Sequence, residues 1–318
     1  MRMLMAALTL IAGAGGAGAA DYTCPQLRLV VPYPAGGGTD VATRVAAERL
    51  EPTLKKPVVV ENRGGATGNI GTAAVVTAPP DGCTLLVNAT VIATFPYSFA
   101  KLNYDPIKDL APVAGLGITP TLLVAAPSIP ANDIKSLVEW SKTRPDGLNF
   151  STAGYGLQQH LSVEEIGQRA GAKFTHVAYK GGGNAMTDLM TARLDFGGFL
   201  GGTTKPLIRD GQLKALAIVQ DKRSELLPDV PTTAEQGFPG INAGVHFMVF
   251  APAATPKDIV ALLSAEFRKV IEDATVKQRF ATIGFDPTPL GPDEVAAAMK
   301  KAGEDWAPVI KRLNIRLD

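Results

Sequence analysis

The chain has 318 residues, 46% of them hydrophobic and 19% charged, which is enough for one large or two ordinary domains with a packed core. Its 31 Lys and Arg against 30 Asp and Glu leave a net charge of +1, so no basic surplus points to nucleic acid or an anionic membrane surface. Three histidines, His160, His176 and His246, are scattered and form no zinc-type cluster with the two cysteines, so neither a metal nor a cofactor is expected.

In chain order, Met1-Arg2 supplies one positive charge and an apolar, small-residue run follows to Ala17-Gly18-Ala19-Ala20. This is the layout of a secretory signal peptide over residues 1–20, cut before Ala20 or Asp21. A membrane anchor would need roughly 20 strongly apolar residues, and this run thins into Gly and Ala. Cys24 lacks the preceding residues of a lipoprotein cysteine. No later run is apolar and long enough to span a bilayer, so a soluble mature protein is expected. In a secreted chain, Cys24 and Cys83 permit a disulfide. Each lies just before a strand-like run, and if those strands are sheet neighbours the two residues come within bonding distance; otherwise they are free thiols.

Strand-like runs at 27–31, 58–60 and 84–87 alternate with helix-like periods at 39–50 and 69–77, the second stopped by Pro79-Pro80. Such βαβαβ alternation with near-continuous apolar strands implies a parallel sheet covered on both faces. After a strand at 121–125 the pattern restarts: helices at 134–142, 158–170, 184–191 and 204–210 alternate with strands at 148–151, 174–177, 195–199 and 214–219. A strand at 245–250, a helix at 256–271 and a helix within 294–312 complete the chain. The runs at 121–125 and 245–250 flank the second unit and read as crossovers. The fold class is therefore α/β in two lobes, with a discontinuous first lobe (21–122 and 247–318), a second lobe (123–246), and a hinge and interdomain cleft between them.

The sharpest local feature is Pro32-Tyr33-Pro34-Ala35-Gly36-Gly37-Gly38-Thr39-Asp40, between the first strand and the first helix. Glycines let the backbone turn tightly and approach a ligand. A helix N-terminus adds unpaired N–H groups and a partial positive charge, and together these can hold an anionic oxygen without a basic side chain. The alternative is a purely structural turn. Asp40 suits a capping role, since its charge repels a carboxylate; the other reading gives it the amino group of an amino-acid ligand. The run is not a dinucleotide fingerprint, because Val41 stands where the third glycine belongs. A second such turn, Ser151-Thr152-Ala153-Gly154-Tyr155-Gly156, occupies the corresponding place in the second lobe, so the two would face each other across the cleft. Tyr179-Lys180-Gly181-Gly182-Gly183 is a third, in which Lys180 is either a charge at the cleft mouth or a solvated surface lysine. The glycines from Asn62-Arg63 through Gly71 read as helix packing, and His160 as a packed or capping histidine.

These segments in this order resemble the Bug family, the extracytoplasmic solute receptors associated with tripartite tricarboxylate transporters. The resemblance is carried by residues 31–40 with Arg44, by 62–71, by Pro80-Asp81-Gly82-Cys83-Thr84-Leu85-Leu86, by Gly154-Tyr155-Gly156 with His160-Leu161, and by 176–181. Leu227-Pro228-Asp229-Val230-Pro231-Thr232 and Ala251-Pro252 with Thr255-Pro256 continue it, so it covers nearly the whole chain after residue 20. It implies a type II periplasmic-binding-protein fold, a periplasmic location, no enzymatic activity, a monomer, and membrane transporter subunits as partners. It further implies a di-, tri- or aromatic carboxylate ligand held at Tyr33, Ala35, Gly36, Gly37 and Asp40 and at Thr152, Ala153 and Gly154, with Thr90 and Gly181 as additions. Two departures stand out. Leu157 occupies a place where the family usually has a small hydroxyl residue, which favours a less polar or aromatic carboxylate. Cys83 replaces a common Tyr, and its co-occurrence with Cys24 supports the disulfide. The competing classes are a sensor module for a membrane receptor kinase and a secreted α/β enzyme; the chain carries no G-x-S-x-G nucleophile elbow.

Overall fold

A computed structural model describes residues 22–179, 181–224 and 226–317. The expected signal peptide at 1–20 and the reading of Lys180 lie outside the described residues.

The first lobe begins β1 (Leu27–Val31), α1 (Gly38–Leu54), β2 (Val58–Asn62), α2 (Asn69–Val76) and β3 (Thr84–Ala89). β1 pairs in parallel with both neighbours, Leu29 standing beside Val60 on one side and Leu85 on the other. Leu27, Leu29 and Val31 on one face are fully buried, and on the other Val30 is buried while Arg28 at the strand's start is exposed. The short helix α3 (Phe95–Ser98) leads to β4 (Leu110–Thr119), and the chain then passes into the second lobe.

That lobe contains β5 (Thr121–Ala125), α4 (Ile134–Lys142), β6 (Leu148–Thr152), α5 (Gln158–Ala170), β7 (Phe174–Ala178), α6 (Gly182–Met190), β8 (Phe196–Leu200), α7 (Gly201–Arg209) and β9 (Lys214–Ile218). The chain returns through β10 (Val245–Pro252), then α8 (Lys257–Glu272), α9 (Ala274–Thr282), β11 (Asp286–Pro287) and α10 (Pro292–Arg312). The first sheet has the order β11-β4-β10-β3-β1-β2 and the second β7-β6-β8-β5-β9. Each carries its own core, around Leu85, Phe250 and Phe267 in one and Phe150, Phe196 and Leu216 in the other. No helix among the described residues is long and apolar enough to cross a membrane.

The structure differs from the sequence reading in several places. β4, the longest strand, was not expected, because Pro112, Gly115 and Gly117 are poor strand residues. Antiparallel pairing with β10 imposes it, with two register shifts along the ladder. The glycines admit close neighbours: a Cβ at Gly115 would lie 2.8 Å from Leu290 Cβ, and one at Gly117 2.9 Å from the Asp286 carbonyl. α9 was likewise missed; Asp273 caps it by accepting from the N–H groups of Thr275 and Val276.

The lobe boundaries also move. β5 belongs wholly to the second sheet, so the first crossing is at Pro120 rather than after residue 122. The return crossing is at Gly244, where Ala243 still bonds Val219 and Val245 already pairs with Thr119. The crossings lie side by side, and the Thr121 hydroxyl donates to the Ala243 carbonyl at 2.6 Å. Finally, α10 does not complete the first lobe alone. Val295, Met299 and Ala302 enter the first core, whereas Trp306, Val309 and Ile310 enter the second.

Cys24 and Cys83 are disulfide-bonded, with Cα atoms 5.5 Å apart. The pairing of β1 with β3 brings them together, since Arg28 stands beside Thr84 and donates its N–H to the Cys83 carbonyl.

Candidate functional site

A cleft of about 1070 Å³ lies between the lobes. Its wall includes the first-lobe turn from Pro32 to Thr39, the second-lobe residues Ala153, Gly154 and Tyr155, and Gly181 to Gly183. A smaller recess of about 300 Å³ beside Arg49 and Asp273 is distant from these turns and built around a surface ion pair.

α1, α5, α6 and α7 all begin at the cleft wall. The residues preceding them are Gly37, Leu157, Gly181 and Leu200, and none supplies a side-chain cap. The first-turn N–H groups of a helix have no partner within the helix, and the helix dipole adds positive potential there. Two helices that start away from the cleft carry side-chain caps, Asp133 for α4 and Asp273 for α9, while α8 starts uncapped after Pro256. The cleft thus gathers uncapped helix ends from both lobes, an arrangement suited to anionic oxygens.

Asp40 does not face this space. It is 3% exposed and sits beneath the first turn, accepting from the Gly36 N–H at 2.8 Å, the Arg44 Nε at 3.0 Å and the Asn62 Nδ2 at 2.9 Å. Burial alone would raise its pKa, but the bonds from Arg44, Gly36 and Asn62 outweigh that and hold the carboxyl below its ordinary value. Asp40 is therefore a brace for the turn rather than a wall residue, and the Gly36 N–H is already committed to it. Gly37 and the first turn of α1 remain to meet an anion.

Of the other expected residues, Tyr33, Ala35, Gly36, Gly37, Ala153, Gly154 and Gly181 line the cleft, whereas Thr90 and Thr152 stand behind it. Tyr33 presents its ring, because its hydroxyl donates to Asn88 Oδ1 at 2.9 Å. Gly181 donates its N–H to the Ala153 carbonyl, tying the two second-lobe turns together. Thr90 donates to Gln158 Oε1 at 3.1 Å, a buried bond from the end of β3 to the start of α5 that joins the lobes. Gly65, Ala66, Thr67 and Gly68 also line the cleft, so that glycine-rich turn does more than pack a helix. Gly71 has the packing role, since a Cβ there would lie 2.6 Å from the Arg63 carbonyl. Sequence reasoning missed Gln158, Met186, Phe199 and Phe247 on the wall. In the sequence an apolar residue facing a cavity looks the same as one facing the core.

Beneath the second-lobe turn His160 and His176 stack, with ring centroids 3.9 Å apart. The Tyr155 ring lies 4.8 Å from that of His160, and Phe150 lies 4.8 Å from His176. His160 is buried, and its Nδ1 accepts the Gly156 N–H at 3.1 Å, so its remaining hydrogen is on Nε2, 3.6 Å from Glu164 Oε1. The single Thr152 hydroxyl proton goes to the Gly154 carbonyl at 2.9 Å, so His176 Nε2, 2.8 Å away, is the donor to that hydroxyl. Through these bonds both rings hold the turn.

Burial, and secondarily the nearby His160, push the His176 pKa from 6.5 down to about 3. Between those values the unfolded chain binds the proton and the folded one does not. Stability therefore falls as pH falls through that window. Replacing His176 by Phe keeps a ring in the stack and removes the titration. Thermal unfolding followed from about pH 7 to about pH 4 should show a weaker loss of stability in His176→Phe than in the native protein. Burial lowers the His246 pKa in the same direction, so some acid sensitivity remains in the variant. Equal acid sensitivity of the two proteins would remove His176 as a source.

Residues 42–315 match the tripartite tricarboxylate transporter family receptor. Among solved structures, the periplasmic binding protein BugD superposes with a TM-score of 0.82 at 32% identity, covering 92% of this chain and 98% of its own. Rpa4515 from R. palustris, solved with adipate, gives 0.83 at 30% identity, covering 90% and 96%. MatC from Rhodopseudomonas palustris, solved with bound malate, gives 0.79 at 31% identity, covering 90% and 98%.

Proposed function

Since this chain belongs to the tripartite tricarboxylate transporter receptor family, whose members are solute-binding receptors rather than enzymes, we propose that it captures a small carboxylate in the interlobe cleft, in the periplasm, and delivers it to the membrane subunits of such a transporter. The observation that carries the ligand class is the convergence of uncapped helix N-termini from both lobes on one cleft. Two structurally similar receptors hold adipate and malate, which supports the same class here.

The first-lobe contacts are Gly37 and the start of α1, and the second-lobe contacts are Ala153, Gly154 and the starts of α5 and α6. A ligand touching both sets favours the closed arrangement, and it shifts the balance between open and closed only by its difference in affinity for the two. The transporter reads the closed form, and the receptor works as a monomer. Residues 1–20 direct export.

The test is a thermal-shift panel of mono-, di-, tri- and aromatic carboxylates, each with its matched amide. A ligand at a hundred times its Kd adds about 2.7 kcal/mol, a shift of several degrees for a protein of this size. Acids should raise Tm and amides should not. Equal shifts from acid and amide would overturn the anion-binding reading.

A further inference from the structure

We propose that the ligand is an aromatic carboxylate, its ring held among Tyr33, Tyr155, Leu157, Met186, Phe199 and Phe247 and its carboxylate on the helix ends. The inference rests on the carboxylate reading of the same cleft. It goes further in assigning the body of the ligand.

Tyr33, Tyr155, Phe199 and Phe247, with Leu157 and Met186, come from both lobes and share this wall with Tyr179, whose hydroxyl donates to Asp188. No side chain of Asp, Glu, Lys, Arg or His stands among the described residues of the wall. A tricarboxylate would bring three negative charges to a wall with no cationic side chain among its described residues. The volume of about 1070 Å³ is at the upper end of the roughly 300–1,000 Å³ typical of pockets for drug-sized ligands, and is generous for a four-carbon acid.

The polar side chains on the wall are partly committed already. The Tyr33 hydroxyl is bonded to Asn88, the Thr203 hydroxyl donates to the Leu200 carbonyl at 2.9 Å, and Gln158 Oε1 accepts from Thr90. A ligand hydroxyl facing Tyr33 or Thr203 would find no free hydroxyl hydrogen there, and an unpaired buried polar group is unfavourable. Aromatic rings, by contrast, favour offset or edge contacts with the rings already present.

Leu157 makes the preference specific. It occupies the N-cap position of α5, where a hydroxyl residue would both cap the helix and reach a polar ligand, and it makes no cap bond. Its side chain lies over the second-lobe turn instead: a Cβ at Gly154 would be 3.3 Å from Leu157 Cδ1. This places an apolar surface beside the N–H groups that hold the carboxylate, where the first carbons of the ligand body must sit.

The experiment is calorimetry of the native chain with phenylacetate, adipate, malate, citrate and phenylacetamide, repeated on Leu157→Ser. Phenylacetate should bind at least about 10-fold more tightly than malate, citrate or adipate, and phenylacetamide should not bind. In Leu157→Ser the ratio should move toward malate by about 5-fold or more. Tighter binding of malate, citrate or adipate than of phenylacetate overturns the aromatic inference and leaves the carboxylate reading standing. Equal binding of phenylacetamide and phenylacetate, or silence from every acid, overturns both. A ratio unmoved in a folded Leu157→Ser protein removes Leu157 as the selecting residue.

Discussion

Replacing Gly37 by Val should abolish carboxylate binding in a protein that still folds. The affinity loss expected is at least about 100-fold, or roughly 2.7 kcal/mol. Gly37 precedes α1 with φ −73°, a conformation open to any residue. A Cβ there meets only the Pro34 carbonyl oxygen, at an ordinary 3.5 Å. The backbone therefore accepts a side chain without strain, while the branched Val covers the helix end that an anion must reach. Hydrogen bonds to a charged group contribute about 1.5–3 kcal/mol each, so losing one or two accounts for the effect. Neighbouring glycines give less clean tests. Gly36 has φ +83°, where a side chain strains the turn itself. A Cβ at Gly38 would be 3.3 Å from the Phe285 ring and 3.7 Å from Leu200, wedging between the lobes. Titration of Gly37→Val with the acids that stabilise the native protein, alongside its unfolding curve, reads both properties. A folded variant with undiminished affinity would remove the first-lobe half of the site.

The second large effect is on stability and leaves binding alone. Cys24 and Cys83 close a loop with a sequence separation of 59. Loop-closure entropy for a ring of this size corresponds to about 4 kcal/mol of stabilisation. The bond sits at the N-terminal end of β1, and the ligand turn follows its C-terminal end. Around it, the Tyr22 hydroxyl donates to the Gly82 carbonyl at 3.0 Å, and burial with the nearby Asp81 pushes that phenol up to about 12. The double variant Cys24→Ser, Cys83→Ser should unfold at a urea concentration lower by roughly 1 M or more, with ligand affinity within about 2-fold of native. An unchanged unfolding midpoint would show that neighbouring contacts alone hold the strand ends together.

Much of the architecture was legible because the relevant forces are local and periodic. Leu29 and Val30 point to opposite faces of β1 and both are buried, as a covered strand allows, and a parallel partner requires a crossover, here a helix. β4 escaped for the opposite reason. Its Pro112, Gly115 and Gly117 have low strand propensity, and distant β10 and Leu290 supply the order. The site was legible in its glycine turns and less so in its side chains. The resemblance places Asp40 at the ligand while its charge suits a cap, and in the structure Gly36, Arg44 and Asn62 claim it. Leu157 was noted as a departure, while Phe199 and Phe247 carried no signal distinguishing a cavity wall from a core.

By itself, the sequence determined which segments turn, that Leu157 denies its helix a capping hydroxyl, and that two cysteines were available to pair. Those properties follow from residue type: a glycine without Cβ, a Leu without a hydroxyl. Only the tertiary structure decided which helix ends share a cavity, that the Gly36 N–H is committed to Asp40, and that α10 belongs to both lobes. Those outcomes depend on contacts between residues far apart in the chain, such as Thr90 with Gln158, whose partners are chosen by packing rather than by the neighbours in sequence.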